Sequence, residues 1–347
     1  MKKSCIRLTV CVYIIICLIF GFNTLKTNIE KTVNIWISII VPSVFPYIVL
    51  SKYLCKSDAL KIAEVFPGKL IAKIFKLSAC SVRAVICSLF CGYPSGAICA
   101  WELYENKEIS RNEAKRLILF TNNAGPLYII SAIGIGLMGS VKTGVGIYCI
   151  HITSALLYGY INSLGKPKPK LSVKKAIYYS PDLCLCIKQG VETTVNICGY
   201  MIAACVFSVC TKMLIHRLAA VDCLYEYVNI FTDGFFEISA GISTTAKSEL
   251  CRLKIPVICA ISSWSGLSVI MQIKSVSGNI INTFDIIKAK LCQSVISFFM
   301  GFVFDYAVSE KYGISYNADN VFKFSIVLSA ILFIYYLINK KTVQKLN

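Results

Sequence analysis

Two apolar stretches of this chain are interrupted near their centres by small, polar, helix-breaking residues, and a second such pair follows about 140 residues later. The first interruption, Cys91-Gly92-Tyr93-Pro94-Ser95-Gly96-Ala97, lies in the run from Ala79 to Trp101. The second, Thr121-Asn122-Asn123-Ala124-Gly125-Pro126, lies in the run from Leu117 to Met138. The later pair is Glu237-Ile238-Ser239-Ala240-Gly241 and Ser262-Ser263-Trp264-Ser265-Gly266. In lipid an unpaired backbone amide is very costly, so a broken helix survives only where protein or a watery cavity supplies partners. Interrupted segments at matching places in two halves point to the midplane binding site of a transporter.

Composition agrees with a membrane setting. Hydrophobic residues make up 56% of the chain, and the mean hydropathy is +0.67, well above a soluble domain. Lys and Arg number 36 against 18 Asp and Glu. These basic residues sit in short connections between apolar runs, where anionic lipid headgroups are their natural partners. No basic patch carries an interleaved aromatic platform, so nucleic acid is not an expected partner. Most of the 18 cysteines fall within apolar runs, where a free thiol acts as a small hydrophobe. No Cys-x2-Cys pair recurs, and no metal or cofactor is expected.

The order of apolar runs predicts an all-α integral membrane protein with about 6–8 spanning helices and two re-entrant broken-helix hairpins in two structural repeats. Residues 1–32 read as a membrane helix and connector, with Asn23 to Lys31 as the polar part. Residues 33–164 form the first repeat, whose opening span is bent by Pro42 and Pro46. Ser57 to Leu77 reads as an interfacial amphipathic helix. Ser110-Arg111-Asn112-Glu113 fits a capping box. Residues 165–190 are a basic polar linker, 191–308 the second repeat, and 309–347 a last helix, Phe322 to Ile338, with a basic tail. The repeat shows in offsets: Gly125 faces Gly266 at 141 residues, and His151 faces Gln293 and Gly159 faces Gly301 at 142. Whether the halves are inverted or parallel is left open.

The substrate-binding residues expected from the first pair are Gly92, Tyr93, Pro94, Ser95, Gly96, Asn122, Asn123, Gly125 and Pro126. From the second pair they are Glu237, Ser239, Gly241, Ser263, Ser265, Gly266, Ser268 and Gln272. Pro94 removes one amide, and the glycines permit close backbone approach. A half-helix starting near Ser95 would aim free amides and a positive dipole end at an anion, above all a carboxylate. Glu237 is the acid of the second pair, and a buried Glu can carry a proton or hold Na⁺. A kink that only eases packing, or an interfacial acid, is the plainer reading of each. His151 reads as a hydrogen-bonded packing residue. No enzyme is expected and no catalytic residue is assigned: Gly92-x-x-x-Gly96 lacks the Lys-Ser or Lys-Thr of a P-loop, and no nucleophile elbow is present.

At Cys91–Ala97, Asn122–Pro126, and Ser265-Gly266-Leu267-Ser268-Val269 followed by Gln272, the chain resembles the YlbJ-type sporulation integral membrane proteins. Their repeated element is the nucleoside-recognition, or Gate, domain. The chain departs from that pattern at Ile98, where a Lys commonly stands, and at Met271. The resemblance implies a Gram-positive endospore former. It also implies movement of dipicolinic acid from mother cell to forespore across the outer forespore membrane. The expected partners are a small anionic substrate and membrane lipid. A coupling ion, H⁺ or Na⁺, and a homo-oligomer are left open. The alternatives are a nucleoside or purine transporter and a non-transporting scaffold of the spore membrane.

Overall fold

The computed structural model describes residues 2–56, 60, 63–64, 67–167, 182–218, 225–249, 251 and 253–311. Among these the regular elements are all helical, so the all-α expectation holds. The expected helix at Phe322 to Ile338, the basic tail and the stretch 168–181 of the linker lie outside the described residues, and Ser57 to Leu77 is described in part.

Helices α1 (Lys2–Phe20) and α2 (Phe22–Ile35) are followed by a π turn, Trp36–Ile40, and α3 (Val41–Lys56). The polar residues 23–31 are helical, not a connector, because they satisfy one another along the helix. Thr27, Asn28 and Thr32 donate to the carbonyls of Asn23, Thr24 and Asn28 at 3.0, 2.8 and 2.9 Å. Lys26 lies 3.9 Å from Glu30, one turn on. The expected bend takes the form of the π turn just before Pro42, whose missing amide cannot continue the helical ladder.

A short amphipathic helix, α4 (Pro67–Phe75), leads into α5 (Val82–Phe90) and α6 (Ser95–Glu105), which pack on each other as a hairpin with its tip at 91–94. Helix α7 (Arg111–Ile118) then points inward, breaks off, and resumes as a π-wound segment, Leu127–Leu137. Ser110 caps α7 by accepting from the Glu113 amide at 3.3 Å. The capping box is not closed from the other side: the Glu113 carboxylate instead binds Ser78 and Ser81 Oγ, the latter at 3.0 Å. Helix α8 (Val141–Ser163) returns.

After α9 (Leu183–Leu218) the same order recurs. Helices α10 (Tyr225–Phe236) and α11 (Ile238–Lys247) form a hairpin with its tip at Glu237, and α12 (Lys254–Trp264) and α13 (Gly266–Ser277) form one run broken at Ser265. Helix α14 (Thr283–Lys311) closes the described part. Among the described residues, five stretches are long and apolar enough to cross a bilayer: Phe22–Leu54, Val141–Ser163, Leu183–Arg217, Lys254–Ser277 and Thr283–Ala307. Large apolar side chains such as Leu157, Val195, Phe231 and Val303 lie exposed on these helices and on α10, as a lipid-facing surface requires.

The two hairpins are rooted at opposite ends of the molecule. The 24-residue run Lys254–Ser277 rises roughly 36 Å, enough to cross a hydrocarbon core. At its start, Lys254 Nζ donates to the Ala246 carbonyl near the root of the α10–α11 hairpin, at 3.0 Å. Just past its end, the Asn279 carbonyl accepts from Arg111, six residues beyond the α5–α6 hairpin, at 2.5 Å.

Candidate functional site

Glycine lets the interruptions meet back to back. A Cβ on Gly92, which has φ +74°, would lie 3.0 Å from the Gly125 amide nitrogen. A Cβ on Gly96 would lie 1.6 Å from the Thr121 carbonyl oxygen. In the second pair, Gly266 at φ +80° would place its Cβ 2.9 Å from the Phe236 oxygen. Each hairpin tip is therefore pressed against the break of the crossing helix that follows it. Breaks three and four are shorter than the sequence predicts. Ser239, Ala240 and Gly241 are helical, and α12 runs through Ser262 and Ser263 to Trp264, leaving Ser265 and Gly266 in the left-handed region at φ +72° and +80°.

Hydrogen bonds join the two pairs. Tyr93 OH lies 2.5 Å from Ser265 Oγ and donates to the Ser262 carbonyl at 3.1 Å. Tyr128 OH donates to Ser239 Oγ at 2.9 Å. The Ala124 amide donates to His151 Nε2 at 2.9 Å, so the ring proton sits on Nδ1 and is directed at Ser263 Oγ, 3.0 Å away. His151 is thus a bridge between breaks two and four. Ser265 at one break and Asn122 at another, 143 positions apart, belong to one buried cluster.

At the centre lies a cavity of about 50 Å³, room for a few water molecules, lined by both hairpin tips and by Ile40, Met201 and Val269. Of the residues expected to bind substrate, Gly92, Tyr93, Gly125, Glu237, Ser239 and Gln272 line it. The others lie outside that lining. Asn122 accepts from the Ala97 amide at 3.1 Å and donates to the Ile118 carbonyl at 2.6 Å. It therefore caps the half-helix that starts at Ser95, and that dipole end faces Asn122. Asn123 donates to Ser88 Oγ at 2.6 Å and to the Phe120 carbonyl at 3.0 Å. Glu237 caps α11 by accepting from the Ala240 amide at 2.7 Å. Pro94 precedes α6 and Pro126 precedes the π-wound segment, while Gly241 packs on Gly234. Four buried polar atoms of the interruptions and their neighbours have no protein partner: Ser95 Oγ, Asn123 Oδ1, Ser262 Oγ and Ser268 Oγ. Such atoms ask for water or solute.

Two charged residues were missed from the sequence. Lys290 on α14 is buried, and its ammonium donates to the Asn122 carbonyl and to Gln293 Oε1 at 3.2 Å, 5.2 Å from the Tyr93 ring centroid. Gln293 in turn donates to the Leu119 carbonyl at 2.9 Å. For Lys290, its place two turns into a helix that continues as an apolar run was the available signal. Asp233 lies one turn before Glu237, inside the apolar run that begins at Val228. It accepts from Ser208 at 2.7 Å, Lys212 at 2.7 Å and Thr244 at 2.9 Å.

The chain is 24% identical over 298 residues to the sporulation integral membrane protein YlbJ of Bacillus subtilis (strain 168), covering 74% of this chain and 70% of that one. This supports the YlbJ-type family. No family model and no solved structure matches. Together with the apolar crossing helices, the similarity makes this chain an integral membrane protein. The quoted resemblance at Cys91–Ala97 and Asn122–Pro126 falls on segments that contribute to the central cavity's lining.

Proposed function

We propose that the protein is a secondary or facilitative carrier of a small anionic solute, dipicolinate above all, from mother cell to forespore during sporulation. The observation that carries this reading is the meeting of four helix interruptions from oppositely rooted hairpins beside one small, mostly apolar cavity that has Glu237, Ser239 and Gln272 in its lining. Irregular backbone at membrane depth is tolerated where it lines a cavity, and carriers place their sites there. We read the recurring order of hairpin, broken crossing helix and full-length helix as an inverted repeat of Gate type. The relative's name places that protein in sporulation membranes, which supports the setting.

The half-helix end at Ser95 is taken by Asn122, so the anion preference draws on charge. Lys290 is a buried amine whose hydrogen bonds go to a carbonyl and an amide oxygen, and it stands behind the Tyr93 ring that lines the cavity. Its protonated form adds positive potential there without touching the solute. Glu237, on the opposite wall, is the group to carry a coupling H⁺ or Na⁺. With about 50 Å³ of room, the cavity must widen to admit an aromatic dicarboxylate, so this is a narrowed state of the cycle.

One observation favours the scaffold reading: Asn122 is satisfied within the protein. The partnerless polar atoms and the cavity-facing Glu237 and Gln272 favour transport. A deletion strain decides between them. Spores lacking the protein should hold far less dipicolinate, with content restored by the wild-type gene; normal content would leave the scaffold reading standing.

A further inference from the structure

A second and larger cavity, about 230 Å³, lies between α2, α9, α10 and α11. It approaches the roughly 300–1,000 Å³ typical of small-molecule clefts. Met201 and Glu237 line both cavities, so the two are neighbours across a shared wall. The larger one sits toward the end where the α10–α11 hairpin is rooted, since Lys247 closes α11 and Lys212 lies near the end of α9. Its charged lining is Lys31, Lys212, Lys247, Asp233 and Glu237. Asp233 is fully engaged by Ser208, Lys212 and Thr244, and Glu237 caps its helix. Lys31 and Lys247 are exposed at the rim and form no ion pair among the described residues. The basic residues Arg83 and Lys115, by contrast, are paired: Arg83 with Glu64 at 2.9 Å and with Glu108, and Lys115 with Asp285 at 2.7 Å.

We propose that this basic cavity is an outer docking site for a small organic dianion on its way to the central cavity. Lys31 and Lys247 collect the dianion at the rim. One carboxylate then takes Lys212 from Asp233, which brings the solute to Glu237 and the shared wall. Two lysines at the mouth and one within match a rigid solute carrying two carboxylates better than a monoanion, which would leave one rim charge unpaired. The site's role as an antechamber rests on the anion-transport reading above; its capacity to bind a dianion does not.

The test is lysine acylation, followed residue by residue by mass spectrometry, on the full chain in nanodiscs of zwitterionic phosphatidylcholine. Pyridine-2,6-dicarboxylate should slow acylation of Lys31 and Lys247 several-fold. Lys107, exposed beyond the end of the α5–α6 hairpin, should react unchanged, and the neutral diamide should protect nothing. Unchanged rates at Lys31 and Lys247 up to the solubility limit of the dianion overturn the docking site. So does protection by anionic phospholipid with none by the dicarboxylate, which would make the rim a headgroup contact. Vesicle uptake measured in parallel separates the two ideas. Protection without uptake keeps the docking site and removes the transport reading; uptake without protection does the reverse. The double variant K31Q/K247Q should raise KM for dianion uptake several-fold at unchanged kcat, and lose its sensitivity to salt.

Discussion

The two hairpins solve one problem, a chain that stops being helical inside a membrane, in different ways. The first has a wide gap at 91–94, faces an even wider one at 121–125, and fills both with side chains from elsewhere: Asn122, His151, Lys290 and Gln293. The second is interrupted for little more than one residue at a time, at Glu237 and Ser265. It satisfies its helix end with its own carboxylate. The wide break has many orphaned backbone groups and needs long-range partners. The narrow break has few, which frees its charge to face the cavity. On the transport reading, the first hairpin is the scaffold and the second the working part.

That division can be broken by mutation. Gly96→Ala forces a methyl to within 1.6 Å of the Thr121 oxygen, backbone against backbone. Overpacking of this kind costs about 1–3 kcal/mol or more, so folded protein in the membrane should be lost, as read by gel filtration after extraction. A Gly96→Ala protein of normal thermal stability would show that the two breaks are not in contact. Lys290→Met should come next. It strands the Asn122 carbonyl and Gln293, at about 1–3 kcal/mol, and should lower Tm while the remaining folded molecules still transport. If Tm is unchanged and uptake vanishes, Lys290 belongs to the solute's path and the division fails.

Glu237→Gln sharpens the contrast from the other side. The amide oxygen can still cap α11, so stability should hold, while uptake falls at least about tenfold, equivalent to about 1.4 kcal/mol in the barrier. Retained uptake with lost stability would make Glu237 a cap and nothing more. Asn123→Ala is the mildest. Its side chain bonds Ser88 and the Phe120 carbonyl. Buried polar contacts between membrane helices contribute about 0.6 kcal/mol each, at most about 1.7. A small loss of Tm with normal uptake per folded molecule is expected, and a large loss of uptake would return Asn123 to the binding site.

Much of this was legible in the residues. The interruptions announce themselves because Gly, Pro and paired Asn are conspicuous in apolar runs, and the start of a half-helix at Ser95 was read correctly. What each polar group faces was not legible. Asn122 and Asn123 look like ligands in one dimension, yet the facing hairpin, 25 and 35 residues away, claims their side chains. The extent of breaks three and four was overread because Ser and Gly tolerate helix as well as break it. Lys290 was hidden because a lysine near a helix start usually snorkels to the surface, and only the fold shows it turned inward onto a carbonyl.

The central claim is that a dianion passes through a cavity built from four broken helices. The direct measurement is uptake into proteoliposomes loaded with purified protein, comparing dipicolinate, its neutral diamide and a neutral nucleoside at equal concentration. The account predicts saturable uptake of dipicolinate, little of the other two, and loss of uptake in Glu237→Gln. Faster uptake of the diamide or the nucleoside, or no protein-dependent uptake of any of them, would contradict it.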